Sequence, residues 1–314
     1  MTVRTAQPVP RRRFSLPDKY KLFLMALPFL LLVLVFSYGP LFGWSYAFFD
    51  YRPGIPLSQE NFVGFKWFAT LFSSPVQRAE VVRVMTNTIV MSLLNIACSV
   101  LPVAFAVFLS EVRFPWYKKS VQVLTTLPNF ISWVLVYSLF FALFNTSNGA
   151  VNQILLSLGV IEKPTNILIN ADLAWAFQIC ISVWKNSGWN AIIYFAAITG
   201  IDQELYDAAD VDGAGTFQKI LHVTVPGLMS TFFVLLLMSI ANMLSNGFEQ
   251  YYVFQNALTM NKLEVLDTYI YKIGLSNLQF SLSTAMGIFK SLVSIVLLTL
   301  ANLASKAIRG ESIF

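Results

Sequence analysis

The chain has 314 residues, 56% hydrophobic, 15% aromatic and only 12% charged, with a formal net charge of +5 and a mean hydropathy of +0.65. Soluble domains carry about 25% charged residues. Most of this chain therefore sits in a solvent without water, and a soluble globular protein is excluded. No run of Gly, Ser or Pro divides the sequence, so one all-α polytopic domain is expected, touching membrane lipid and making no contact with nucleic acid.

The chain opens on a basic tail, residues 1–21, with Arg11, Arg12 and Arg13 ahead of the first apolar segment. That segment is longer than the apolar core of a secretory signal, about 7–15 residues, and no small-x-small cleavage site follows, so it is read as a retained first helix. A membrane crossing takes roughly 20 apolar residues. Six segments qualify: 22–42, 86–110, 121–144, 172–198, 228–247 and 282–304. The fourth is interrupted by Trp184-Lys185-Asn186-Ser187-Gly188, and two half-length helices are the rival reading there. Cys98 and Cys180 fall inside apolar segments and read as small buried hydrophobes.

Six spans put both ends on one side, and the Lys and Arg bias fixes which side. With both termini cytoplasmic, twelve of these residues lie inside, including Lys118, Lys119, Lys219, Lys306 and Arg309; seven lie outside, from Arg52 to Lys272. The segments 44–83, 145–171 and 248–281 then face outward, and 111–120 and 199–227 face the cytoplasm. The permease domain is expected over 22–304, with a cytoplasmic tail at 305–314.

The loop 199–227 carries the strongest local signals. Asp202 is a helix N-cap and Glu204 lies in the first turn, both suited to the positive end of a helix. Gly213 supplies the left-handed residue that ends it. A second amphipathic piece, 217–222, follows, and Pro226 starts the fifth span, where a missing N–H costs little. The small pair Ala208-Ala209, ringed by Asp207, Asp210 and Asp212, suits a stub that sinks into a groove on another protein. The bland reading is a helix lying on the membrane, but such helices carry Lys and Arg on their polar face.

This pattern resembles the EAA motif of ABC-importer permeases: Asp207-Ala208-Ala209, three residues, Gly213, nine residues, then Val223-Thr224-Val225-Pro226. Asp replaces the motif's Glu, and Val its Ile and Leu. Asp212-Gly213-Ala214 is similar to the carbohydrate-uptake branch, as are Asn61-Phe62-Val63-Gly64, Asn87-Thr88, Trp184-Lys185 with Gly188, Leu266-Asp267-Thr268-Tyr269 and Gly287-Ile288-Phe289-Lys290-Ser291. The later features suggest the branch serving oligosaccharides or polysaccharide fragments. The resemblance implies a maltose-permease-like type I fold in a bacterial cytoplasmic (inner) membrane. It implies a second homologous permease, two ATPase subunits that bind ATP and Mg and dock on loop 202–213, and an extracellular solute-binding protein that delivers the sugar. Glu204, Asp207, Ala208, Ala209, Asp212, Gly213, Ala214 and Pro226 would carry the coupling. The chain itself has no G-x-x-x-x-G-K-[ST] phosphate loop, so no enzyme activity is expected of it.

Within the spans, Lys185 and Lys290 are costly, roughly 2.5–3.5 kcal/mol each at a helix centre. No Asp or Glu lies deep in any span. Either both lysines line the substrate path, or they pair with carbonyls or the partner permease or snorkel to an interface. Glu249 and Gln250, next to Tyr251 and Tyr252, suit sugar recognition or an interfacial belt. Asn242 and Asn246, four apart on the fifth helix, line the path or bond a neighbouring helix. A stand-alone secondary transporter or channel is the competing reading. Such proteins use broken helices and ionisable relays, and the interrupted fourth span is its only support. A membrane enzyme or sensor would need catalytic or signalling residues that the sequence does not offer.

Overall fold

A computed structural model describes residues 17–309. The tail arginines Arg4, Arg11, Arg12 and Arg13 and the end of the 305–314 tail lie outside the described residues, and the chain up to there is helical. Among the described residues the only extended pairing is an isolated bridge between Phe49 and Phe62.

The elements in order are α1 (Asp18–Phe48), α2 (Lys66–Ser73), α3 (Pro75–Ser110), α4 (Pro115–Phe130), α5 (Trp133–Phe144), α6 (Ala150–Ser157) and α7 (Ala174–Thr199). Then come α8 (Gln203–Val211), α9 (Thr216–Ala241), α10 (Phe248–Phe254), α11 (Met260–Leu263), α12 (Leu266–Tyr271) and α13 (Phe280–Arg309). Four of these, α1, α3, α9 and α13, are long and apolar enough to cross a membrane, and the bent pair α4–α5 makes a fifth if it is one span. The chain is a multi-pass membrane protein.

The spans depart from the sequence expectation in three places. The third, 121–144, is not one rod: α4 and α5 meet at an angle of 101°. The fourth is not broken: α7 runs 26 residues straight through Trp184–Gly188, which removes the observation that favoured a broken-helix transporter. The fifth starts and ends earlier than expected. Residues 217–222 are its first turns, and the helix stops at Ala241, so Asn242 is its C-cap and Asn246 lies beyond it. Pro226 therefore sits inside a helix. Its ring would crowd the carbonyl four residues back and it has no N–H to donate; the wide π turn Ile220–Thr224 just before it makes the room.

Segment 248–281 is no simple outer loop. Tyr251, Val265 and Glu264 are fully buried there. The Glu264 carboxylate accepts from Arg83 on α3 at 2.5 Å and from Lys272 at 2.9 Å, and Asn87 donates to the Glu264 carbonyl at 3.1 Å. Two cations offset the desolvation of one buried acid and pin α10–α12 against α3. A second core joins Ala106 and Leu109 of α3, Ala191 and Tyr194 of α7 and Leu228 of α9. By contrast, the apolar stretch of α1 is unburied within this chain. Cys98 is half-buried, but Cys180 is exposed rather than buried.

Candidate functional site: a polar cavity and an exposed short helix

Where α3, α5, α7, α9 and α10 converge they form a partly open cavity of about 800 Å3. Its wall sets amides and hydroxyls among apolar side chains such as Ile96, Val183, Ile193 and Leu235: Ser92, Asn95 and Ser99 from α3; Ser182, Asn186 and Asn190 from α7; Ser239, Asn242, Asn246 and Gln250 from the end of α9 and the start of α10. Trp133 and Phe248 add aromatic faces. Glu249 is the one acid, and no Lys or Arg lines the wall among the described residues. The left-handed Gly247, φ 86°, makes the turn that brings Glu249 round to the wall, a conformation glycine adopts without a Cβ clash.

Most of the amides are held in place. Ser182 donates to Asn95 Oδ1 at 3.1 Å. Asn246 donates to the Thr88 carbonyl at 2.8 Å and accepts from Ser92 Oγ. Gln250 donates to Gln178 Oε1 at 2.8 Å. Asn242 bonds only its own helix, to the Met238 carbonyl at 2.9 Å, and is exposed. Such a wall offers neutral donors and acceptors in fixed positions, the chemistry that matches a ligand rich in hydroxyls.

The structure divides the sequence-chosen path residues. Asn242, Asn246 and Glu249 line the cavity, whereas Lys185 and Lys290 do not. Lys185 is 5% exposed, and its ammonium donates to the carbonyls of Pro128 at 3.0 Å, Asn129 at 2.8 Å and Ile131 at 2.7 Å. Lys290 pairs with Asp267 of α12, the counter-ion that the span boundaries had placed outside the membrane. The sequence reading missed Ser92, Asn95 and Ser99 on α3 and Ser182, Asn186 and Asn190 on α7. A signal existed: each set repeats at three or four residues, so each forms one polar stripe on an otherwise apolar helix.

On the far side of α7 lies α8. The Asp202 side chain accepts from the Glu204 N–H at 3.0 Å. At the other end Ala214 donates to the Ala209 carbonyl at 2.9 Å and Gly213 to the Asp210 carbonyl at 3.1 Å, a Schellman closure that needs the left-handed Gly213, φ 75°. Tyr206 ties the helix to Thr224 of α9 at 3.0 Å, and Lys219 pairs with Asp210 at 2.5 Å. Gly227 lets α9 close on Ile201, whose Cδ1 would lie 2.6 Å from an added Cβ. Glu204, Asp207, Ala208, Asp212 and Gly213 are exposed and Ala209 and Ala214 half-buried, while Leu205 and Val211 show 54% and 88% of their surface. The acids thus flank exposed apolar side chains on a helix only nine residues long.

The match to known proteins covers nearly the whole chain. Residues 102–310 fit the family model described as binding-protein-dependent transport system inner membrane component. The chain is 39% identical over 298 residues to the polygalacturonan/rhamnogalacturonan transport system permease protein YteP of Bacillus subtilis (strain 168), covering 95% of this chain and 91% of that protein. It is 36% identical to protein LplB of the same organism, covering 95% and 92%. A crystal structure of a bacterial alginate ABC transporter in complex with an alginate pentasaccharide-bound periplasmic protein contains a chain with TM-score 0.83 and 32% identity, covering 94% of this chain and 97% of that one.

Proposed function

The chain belongs to the family of binding-protein-dependent transport system inner membrane components, and from that premise we propose that it is the permease subunit of an ATP-driven importer for an oligosaccharide or polysaccharide fragment. The observation that carries this reading is α8: a nine-residue helix, closed at both ends and exposed between two long helices, bearing Asp207-Ala208-Ala209 and Gly213 at the motif's spacing. In this reading α8 docks on a separate ATPase, which binds ATP and Mg, and Glu204, Asp207, Ala208, Ala209, Asp212, Gly213, Ala214 and Pro226 form or shape the contact. The carbohydrate assignment draws on the relatives named for saccharides and on the amide- and hydroxyl-lined cavity, where Asn242, Asn246 and Glu249 face the path.

In the same reading α7 is the sixth span. Its 26 residues rise about 1.5 Å each, enough for a core of about 30 Å. Both termini are cytoplasmic, in a bacterial inner membrane. A second, related permease covers the unburied face of α1 and supplies the other half of the path, two ATPases sit below, and an extracellular solute-binding protein delivers the sugar.

The test is purification of the tagged chain from mild detergent, with its neighbours identified. The expected result is co-purification of an ATPase and a second permease, and loss of both the ATPase and uptake in Gly213→Pro, which still inserts in the membrane. A homo-oligomer that transports unaided would overturn the reading.

A further inference from the structure

Resting on that reading, we propose that Lys185 is a positioning residue: it latches the α4–α5 corner onto α7, so that the cavity wall and the docking helix α8 move as one piece.

The corner leaves backbone carbonyls short of regular helical partners, because the chain turns through 101° there; the Pro128 carbonyl keeps a turn bond from the Ile131 N–H at 3.2 Å. Helix ends leave such carbonyls orphaned, and in a membrane no bulk water satisfies them. Lys185 has three N–H donors, and the carbonyls of Pro128, Asn129 and Ile131 take all three. One turn further along α7, Gly188 lies directly on α4: an added Cβ would stand 2.1 Å from the Thr125 carbonyl oxygen. So α7 holds the last turn of α4 at two successive points, one by charge-assisted bonds and one by contact of backbones.

The latch reaches the cavity by a single side chain. Trp133 opens α5, lines the cavity and presents its ring face to the Lys185 ammonium at 5.2 Å, a cation–π contact. Ser182 and Asn186, on either side of Lys185 in α7, also line the cavity. At its other end α7 stops at Thr199, and Asp202 then caps α8. A displacement of α8 is therefore handed to α7 through the chain itself. It passes to Trp133 through the packed corner that Lys185 closes, and to the rest of α5 through the ring contacts of Phe140 and Phe144 with Phe177 and of Phe140 with Trp184. Packed interfaces of this kind shift between discrete arrangements rather than deforming smoothly. Without the latch, α7 keeps its packing contacts with α4 and α5 but loses the bonds that fix the corner and Trp133 to it.

The experiment uses the assembled importer in proteoliposomes, with its ATPases, second permease and binding protein, and records sugar accumulated per ATP hydrolysed. The unmodified complex serves as the control: failure of it to couple sugar uptake to ATP would overturn the permease assignment itself. With coupling established there, Lys185→Met is expected to lower sugar per ATP about tenfold, within the range reported for coupling residues, while the ATPases still co-purify. Lys185→Arg, which keeps a charged donor at the corner, is expected to recover at least half of the loss. An unchanged ratio in Lys185→Met, or equal loss in the Met and Arg variants, would overturn the latch. Should Lys185→Met fail to assemble, Trp133→Leu is measured in its place. It leaves the three carbonyl bonds intact and removes the link to the cavity. A fall in sugar per ATP that persists at saturating sugar, with normal assembly, supports the latch; an unchanged ratio, or a fall that saturating sugar abolishes, overturns it.

Discussion

The helix α7 and the pair α4–α5 lie against each other and treat the membrane differently. The first runs 26 residues without interruption although its middle carries Lys, Asn, Ser and Gly; the second is apolar along α5 and yet turns through 101°. The polar residues of α7 do not break their own helix. Two of them serve the break in the neighbour: Lys185 takes the carbonyls the corner exposes, and Gly188 provides the space, while Asn186 and Ser187 line the cavity. A polar interruption in an apolar segment thus marks a place where someone else's backbone is uncovered.

Three substitutions probe that division of labour. The largest effect is expected of Gly188→Leu. Its Cβ would meet the Thr125 carbonyl carbon at 2.4 Å and the Thr126 nitrogen at 2.8 Å, backbone atoms that cannot swing aside. Overpacking costs about 1–3 kcal/mol where side chains can adjust, so a loss beyond about 3 kcal/mol is expected, seen as a collapse in the yield of folded protein in detergent. Near-normal yield would mean that α7 and α4 are not in backbone contact. Ser132→Ala comes next. Ser132 caps α5 by accepting from the Leu135 N–H at 3.4 Å, and loss of a cap costs about 1 kcal/mol, readable as a lower melting temperature. The smallest effect is expected of Pro128→Ala. If the corner is held from outside by Lys185, removing the proline costs under about 1 kcal/mol, mostly through the unfolded chain. The distance between spin labels at Gln122 and Leu139 then stays short of the 25 Å or so that a straight helix would give. A straight-helix distance in that variant would transfer the cause of the bend to Pro128.

The same contrast explains what could be read from the sequence. Both ends of α8 were legible because their causes are local: Asp202 bonds a residue two places on, and Gly213 closes the turn it sits in. The corner was not, because Lys185 and its carbonyls are 54 to 57 residues apart. The partner of Lys290 was missed for a related reason: Asp267 lies 23 residues away, in a segment that looked like an outer loop because its three short helices are each too brief to register as spans. Asn242 and Asn246 both line the cavity but do not share one helix, since α9 starts at Thr216 and ends at Ala241. The cavity itself combines residues from five helices; the stripes of α3 and α7 are each visible alone, but nothing in the order of residues says that they face one another.

Cross-linking from residue 212 tests the central claim most directly. Asp212 is exposed at the end of α8, so a cysteine in its place, in a chain whose Cys98 and Cys180 are replaced by Ala, carries a short photo-activated probe with little disturbance to the fold. The account predicts that a membrane-impermeant reagent reaches this cysteine only from the cytoplasmic side, and that illumination joins the chain to a separate ATPase subunit. Reaction from the outer face of intact cells, or a cross-link that never includes an ATPase in a transporting complex, would contradict it.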